Sequence, residues 1–221
     1  MLYILATPLG NLGDITDRAK KVLAEVDLVI AENPAYSKRL LDHLQIKGKK
    51  MAQFAEHNEV TALPKLIEQL RTLNAALISD AGTPGISDPG FRLVREAISQ
   101  GIEVSPIPGA NAAISALCAS GLPTDKFIFL GFVPKTEVKL TLELQAAKEI
   151  EATVVFYESP HRIEKTVGYI AKTWQEANVV VARELTKMHE EFIRGSATEV
   201  LANLAARPSI KGEITVVLAW K

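Results

Sequence analysis

One cysteine, four scattered histidines and no long apolar run put several kinds of protein out of reach of this 221-residue chain. The lone Cys118 excludes an intramolecular disulfide and fits a reducing, cytoplasmic setting. Within "AAISALCASG" it reads as a small core hydrophobe. His43, His57, His161 and His189 lack the clustered spacing of zinc ligands, so no metal is expected. No stretch reaches the roughly 20 apolar residues that cross a bilayer, and no membrane association is expected. "MLYILATPLG" has neither the basic start nor the small-residue cleavage site of a signal peptide, and reads as a first strand. A basic excess is also missing: 25 Lys and Arg face 26 Asp and Glu, a net charge of -1. Proteins that grip naked nucleic acid through many phosphates usually carry such an excess. Any nucleic-acid substrate must therefore meet a local patch or belong to an assembled particle. "KGKK" (Lys47 to Lys50), the densest basic cluster, reads as a solvated loop.

What is present is globular composition, 48% hydrophobic and 23% charged. Strand-like and helix-like stretches alternate. "LYILA", "LVIA", "KMAQFA", "AALIS" and "IEVSPI" read as strands. The segments between them carry helical spacing, with Asp14 or Thr16 as one cap and Asp88–Pro89 opening the helix that follows the fourth strand. In that helix Phe91, Val94, Ala97 and Ile98 are expected on one side, with Gly101 closing it. After "PIPGANAA" and its apolar helix, "KFIFLGFV", "ATVVFY", "NVVVAREL", "EEFIRG" and "EITVVLAW" read as strands, with helices over "HRIEKTVGYIAKTW" and "ATEVLANLA". This order predicts an α/β protein of two domains, 1–109 and 110–221. The first sheet is expected to be mainly parallel and the second mixed.

Four turn-rich segments follow predicted strands: "TPLGNLGD", "ENPAYS", "DAGTPGISDPG" and "PGAN". In open α/β sheets ligands bind beyond the carboxyl ends of the strands. Gly82 and Gly85 permit close backbone approach while Pro84 stiffens the loop. Asp80 suits an ammonium group or ribose hydroxyls. Asp88, Pro89 and Gly90 read more simply as a helix start and a packing residue. "TPLGNLGD" has neither the lysine of a phosphate loop nor G-x-G-x-x-G spacing, which disfavours a dinucleotide.

"ATPLGNLGDIT", "SDAGTPGISDPG", "PIPGANAAISAL", "FYESPHR", "ARELTKMHEE" and "KGEITVVL" occur in the order found in one family. On these motifs the chain resembles the small-subunit (16S) ribosomal RNA 2′-O-ribose cytidine methyltransferases, of the tetrapyrrole-methylase fold class. The resemblance implies S-adenosylmethionine as cofactor, held in a cleft between two α/β domains, a homodimer, and 16S rRNA or the small ribosomal subunit as substrate. It assigns cofactor contacts to Pro8, Gly10, Asp80, Gly82, Thr83, Ile86, Ser87, Pro108 and Ala112, and the adenine side to Tyr157 and Ala182. Two departures stand out. The family reads "AEDTRHT" where this chain reads "AENPAYS", so Asn33 replaces a carboxylate and Ala35 an arginine. Many members also continue into a helical tail beyond "VVLAWK".

Methyl transfer to a ribose hydroxyl requires in-line alignment and a proton acceptor. Glu32, Glu158, His161 and Glu184 all lie near predicted strand ends. Lys187 and Glu158 are the expected catalytic pair, with Arg162 and Arg183 as RNA contacts; salt bridging to Glu190 or Glu191 is the plainer role for the basic residues of "RELTK". Two other functions share the architecture. One is a tetrapyrrole C-methyltransferase. The other is a cofactor-binding protein without catalysis that acts in ribosome assembly.

Overall fold

A computed structural model describes residues 1–220 and divides the chain into two compact units, 1–111 and 112 onward. In the first unit, strands β1 (Leu2–Leu5), β2 (Leu28–Ala31), β3 (Lys50–Gln53), β4 (Ala75–Ile78) and β5 (Val104–Ile107) form one sheet in the order β3-β2-β4-β1-β5. Every pairing is parallel. The connections are α1 (Asp17–Glu25), α2 (Pro34–His43), α3 (Glu59–Leu70) and α4 (Phe91–Ser99). β2 and β4 are buried along their whole length, as expected of parallel strands covered on both faces. Alternation then splits their side chains. Val29, Ala31, Ala76 and Ile78 pack with Ala19 and Leu23 of α1 and Leu40 and Leu41 of α2. Leu28, Ile30, Ala75 and Leu77 pack with Leu66, Ile67 and Leu70 of α3 and Leu93 and Ala97 of α4.

Local chemistry fixes where these helices begin. Thr16, not Asp14, caps α1 by accepting from the Ala19 N–H at 3.1 Å. Asn33 caps α2 by accepting from the Tyr36 N–H at 3.2 Å, with Pro34 in the first turn. The expectation for α4 is corrected. Gly90 precedes the helix with φ +154°, and Asp88 caps nothing. A Cβ on Gly90 would stand 3.1 Å from Leu77 Cδ2 and 3.2 Å from the Gly85 nitrogen. The helix therefore enters with Leu93 and Ala97 inward, leaving Phe91 and Ile98 more than half exposed. In "KGKK", Lys49 donates to the carbonyls of Ala24 and Val26, closing the C-terminal end of α1 rather than standing free.

The second unit holds α5 (Ala112–Ser120), β6 (Phe127–Phe132), α6 (Glu137–Glu149), β7 (Thr153–Glu158), α7 (Ile163–Thr173), β8 (Asn178–Arg183), β9 (Glu191–Ser196), α8 (Ala197–Ala205) and β10 (Ile214–Ala219). The sheet order is β6-β7-β10-β8-β9, with only β6–β7 parallel. One face, with Val154, Phe156, Val179, Val181, Val216 and Leu218, packs on α6, α7 and α8. α5 packs across β10, β7 and β8. Its inward residues are Ala113, Ala116, Leu117 and Ser120. Cys118 is exposed, which corrects its reading as a core residue: this helix is apolar all round, and sequence alone does not say which side is covered.

Candidate active site

In the first unit the four neighbouring strands β2, β4, β1 and β5 deliver their following segments to one edge of the sheet. Three of those segments are hydrogen-bonded together. The Thr7 N–H donates to the Gly82 carbonyl at 2.8 Å, and the Gly82 N–H returns to the Thr7 carbonyl at 3.0 Å. The buried Thr7 hydroxyl donates to the Ser79 carbonyl at 3.1 Å. Thr83 Oγ1 donates to the Ala110 carbonyl at 3.0 Å, which ties in the segment after β5. Two glycines make this closeness possible. Gly82 has φ +81°, and a Cβ there would lie 3.2 Å from Leu9 Cδ2. A Cβ on Gly109 would lie 2.9 Å from the Cβ of Ala6, at the end of β1.

Pro8, Gly10, Asp80, Gly82, Thr83, Ile86, Ser87 and Pro108 thus share one rim of the first unit, with Pro8 and Gly82 buried and Gly10, Ile86, Ser87 and Pro108 exposed. Ala112 opens α5 in the second unit. There, Tyr157 and Ala182 sit in one row of the sheet, each opposite Thr215 of β10. Tyr157 makes edge contacts to Phe129 and Phe132 at 5.0 and 5.7 Å between ring centres. Ala182 is 1% exposed.

The rim carries carboxylates, Glu32, Asp80 and Asp88, that enter no ion pair among the described residues. Asp80 accepts from the Asn33 N–H, while its Oδ1 is buried with no hydrogen-bond partner. Burial raises the Asp80 pKa despite that bond. Glu32, directly after β2, is raised by burial and then by the charges of Asp80 and Glu56. Asp88 reaches about 6, through burial and the charge of Glu32, with a hydrogen bond from Ser79 opposing and Asp80 adding a little. Asp88 also borders a cleft of about 330 Å³ lined by Glu56, Glu59, Ser87, Pro89, Phe91 and Arg92. The cation of that cleft is already engaged: Arg92 pairs with Glu59 at 3.0 Å. The sequence hides this cluster because its members come from the ends of different strands.

A raised carboxylate favours the protonated folded state. The stability Asp88 contributes is therefore complete below about pH 3.8 and lost as pH rises through about 6. Allowing for partial exposure, the change is about 1–2 kcal/mol. Asp88→Asn is expected to raise the urea midpoint above about pH 6 and to leave it unchanged below about pH 4. A lower midpoint at both would show that the charge is not a burden.

In the second unit the residues expected to act in catalysis and RNA binding all make ion pairs within the fold. Glu158 has a side chain with no exposed surface. It accepts from the Ser159 N–H at 2.7 Å and from Thr166 Oγ1 at 2.6 Å, and pairs with Arg162 at 3.1 Å. Arg162 also donates to the carbonyls of Val133 and Pro134. Arg183 is divided between Glu191 and the carbonyls of Lys211 and His189. Lys187 pairs with Glu184 at 2.9 Å and Glu213 at 3.0 Å, not with Glu190 or Glu191. Burial pulls the Lys187 ammonium down, but those two hydrogen bonds outweigh it and hold the group above its ordinary pKa. Glu184 is held low by the Glu213 N–H and then by Lys187. Gly212, φ +92°, leaves room for this carboxylate, since a Cβ there would fall on Glu184 Cγ. Each of Glu158, Arg162, Arg183 and Lys187 thus has ion-pair partners within the second unit.

Fold and rim together define a methyltransferase of known architecture: the chain belongs to the tetrapyrrole (corrin/porphyrin) methylase family, whose model matches residues 1–201. More particular likeness is to proteins named ribosomal RNA small subunit methyltransferase I. The one from Halalkalibacterium halodurans is 46% identical over 220 residues, covering 98% of this chain and 75% of that protein. The Bacillus subtilis protein is 41% identical over 219 residues, covering 99% and 74%. Among solved structures, diphthine synthase superposes with a TM-score of 0.76 at 18% identity, covering 99% of this chain and 89% of that one. The methyltransferase CobJ gives 0.71 at 16%, covering 98% and 92%. These two share the fold.

Proposed function

We propose that this protein transfers a methyl group from S-adenosylmethionine to the 2′-oxygen of a cytidine ribose in 16S rRNA, acting in the cytoplasm on the small ribosomal subunit. The observation that carries the donor is the rim of un-neutralised carboxylates, with the Asp80 Oδ1 left without a partner. S-adenosylmethionine, when bound, supplies an electrophilic methyl on a positively charged sulfur, and its ammonium makes the whole molecule a cation. Such a ligand relieves the mutual repulsion of Glu32, Asp80 and Asp88. Asp80 accepts from its ammonium or ribose hydroxyls, and Gly82 and Gly109 let backbone approach closely. The acceptor is taken from relatives at 41–46% identity whose name specifies small-subunit rRNA. That favours rRNA over a tetrapyrrole, for which only the fold speaks.

When bound, the donor would supply its methyl to a ribose oxygen held in line with it, leaving the sulfur as a thioether, and the part of this chain would be to take the hydroxyl proton on a carboxylate. Glu32 is our choice for that carboxylate, because Glu158 and Glu184 are both held by cations. Homodimerisation belongs to the same proposal; the exposed Phe91 and Ile98 of α4 offer apolar surface for it.

Incubation with methyl-labelled donor and small ribosomal subunits is expected to label a cytidine 2′-oxygen. Label confined to a tetrapyrrole would overturn the assignment, as would tight donor binding without turnover on any substrate. Asp80→Ala is expected to weaken donor affinity roughly 10-fold or more, the scale of a lost charge-assisted hydrogen bond. Calorimetry showing unchanged affinity would remove Asp80 from the site.

A further inference from the structure

The outward side of α2 carries an aromatic ring and a cation that the carboxylate rim does not use. Ser37, Leu40 and Leu41 are buried and fix how the helix is turned. Tyr36, in the first turn, is left 48% exposed. One turn further, the Arg39 guanidinium carbon lies 5.7 Å from the centre of the Tyr36 ring. Lys38 and His43 are exposed on the same helix, against a single acid, Asp42. Among the described residues neither Lys38 nor Arg39 enters an ion pair. The helix begins only three positions after β2 ends, so Tyr36 projects from the same strand-end edge as Glu32 and the donor loops.

We propose that Tyr36 and Arg39 form a docking platform for a single-stranded segment of RNA, with an unpaired base stacked on the Tyr36 ring and a neighbouring phosphate met by Arg39. This rests on the reading of small-subunit rRNA as substrate. With the guanidinium over one face of the half-exposed Tyr36 ring, the opposite face offers a preset stacking surface, and every base has a matching face. Positive charge concentrated here supplies the local patch that a chain of net charge -1 needs for a polyanion.

The test compares wild type, Tyr36→Ala, Tyr36→Trp and Arg39→Gln, each assayed for methyl transfer while small-subunit concentration and salt are varied. Donor affinity is read by calorimetry and oligomeric state by sedimentation. Tyr36→Ala is expected to raise the KM for subunits roughly 5- to 100-fold, with donor affinity and sedimentation unchanged and with Tyr36→Trp restoring most of the loss. Arg39→Gln is expected to lower the slope of log affinity against log salt by about 0.7, one phosphate contact on a single strand. Tyr36→Ala with a wild-type KM would overturn the platform while leaving the function standing. So would a loss that tracks weakened donor binding or altered assembly. Wild type that labels no small-subunit RNA would instead overturn the function, and the platform with it.

Discussion

Glu158→Ala is expected to destabilise the second unit by about 3–5 kcal/mol, the range for removing one partner of a buried ion pair. The side chain is wholly enclosed and both its oxygens are occupied. Its removal leaves the Ser159 N–H and the Thr166 hydroxyl without acceptors inside the fold, each worth about 1–3 kcal/mol when left unpaired. Arg162, with its side chain 24% exposed, keeps the Val133 and Pro134 carbonyls but loses its counter-charge. At about 2–4 °C per kcal/mol for a chain of this size, Tm falls by 10 °C or so. Glu158→Gln, which preserves shape and one acceptor, falls by about half as much. Calorimetric melting checks the stability, and methyl transfer measured well below the melting range checks the rest. A brace leaves the folded variant turning over near the wild-type rate. A catalytic Glu158 would give the opposite pattern, normal melting with turnover lost.

Glu158 also shows why a sequence exposes some features and conceals others. "FYESPHR" announces a strand end carrying an acid and a base four residues apart, a pattern equally suited to catalysis and to an internal salt bridge. Only enclosure separates the two, and enclosure depends on how β7 and α7 meet. The loops of the first unit were legible because proline restricts the backbone and glycine frees it: a Cβ would crowd Leu9 at Gly82 and collide with Ala6 at Gly109. Strand order was not legible, and it is strand order, β2 beside β4, that sets Glu32 against Asp80. α6 left no periodic signal, since Leu140, Leu144 and Ala147 face the core while Val138 and Leu142 are largely exposed. A helix with apolar residues on two sides has no stripe to detect. α4 was only partly legible for a related reason: its strong pattern contains two apolar edges, and the tight seat of Gly90 decides which turns inward. Asn33 and Ala35, the departures from the family's pattern, look different in the structure. Asn33 supplies the α2 cap that a carboxylate could equally supply, so helix initiation survives the change.

Glu32→Gln is expected to lower kcat by about 10²- to 10⁴-fold, the range for losing a positioned general base. Glu32 follows the last residue of β2, with Asp80 across the neighbouring strand end and Glu56 beyond β3. Burial, then those two charges, lifts its pKa above the ordinary carboxylate value of 4.5. A base with a raised pKa is better matched to neutral pH, because proton acceptance improves while the group is still ionised. A cationic donor held at the rim, as proposed, would work in the opposite direction. Its positive charge favours ionised Glu32, so the pKa governing kcat should lie below that governing kcat/KM for the donor. Turnover in the wild type is therefore expected to rise with pH on the acid side, and that limb should disappear in Glu32→Gln while Glu32→Asp retains it at reduced rate. Donor affinity should fall by no more than about 10-fold, since one of three carboxylates is neutralised and Asp80 remains. The split between the two readouts separates a proton acceptor from a purely electrostatic member of the cluster, which would weaken donor binding and leave kcat alone. A variant turning over within about threefold of wild type, with the acid limb intact, would show that the proton leaves by another route.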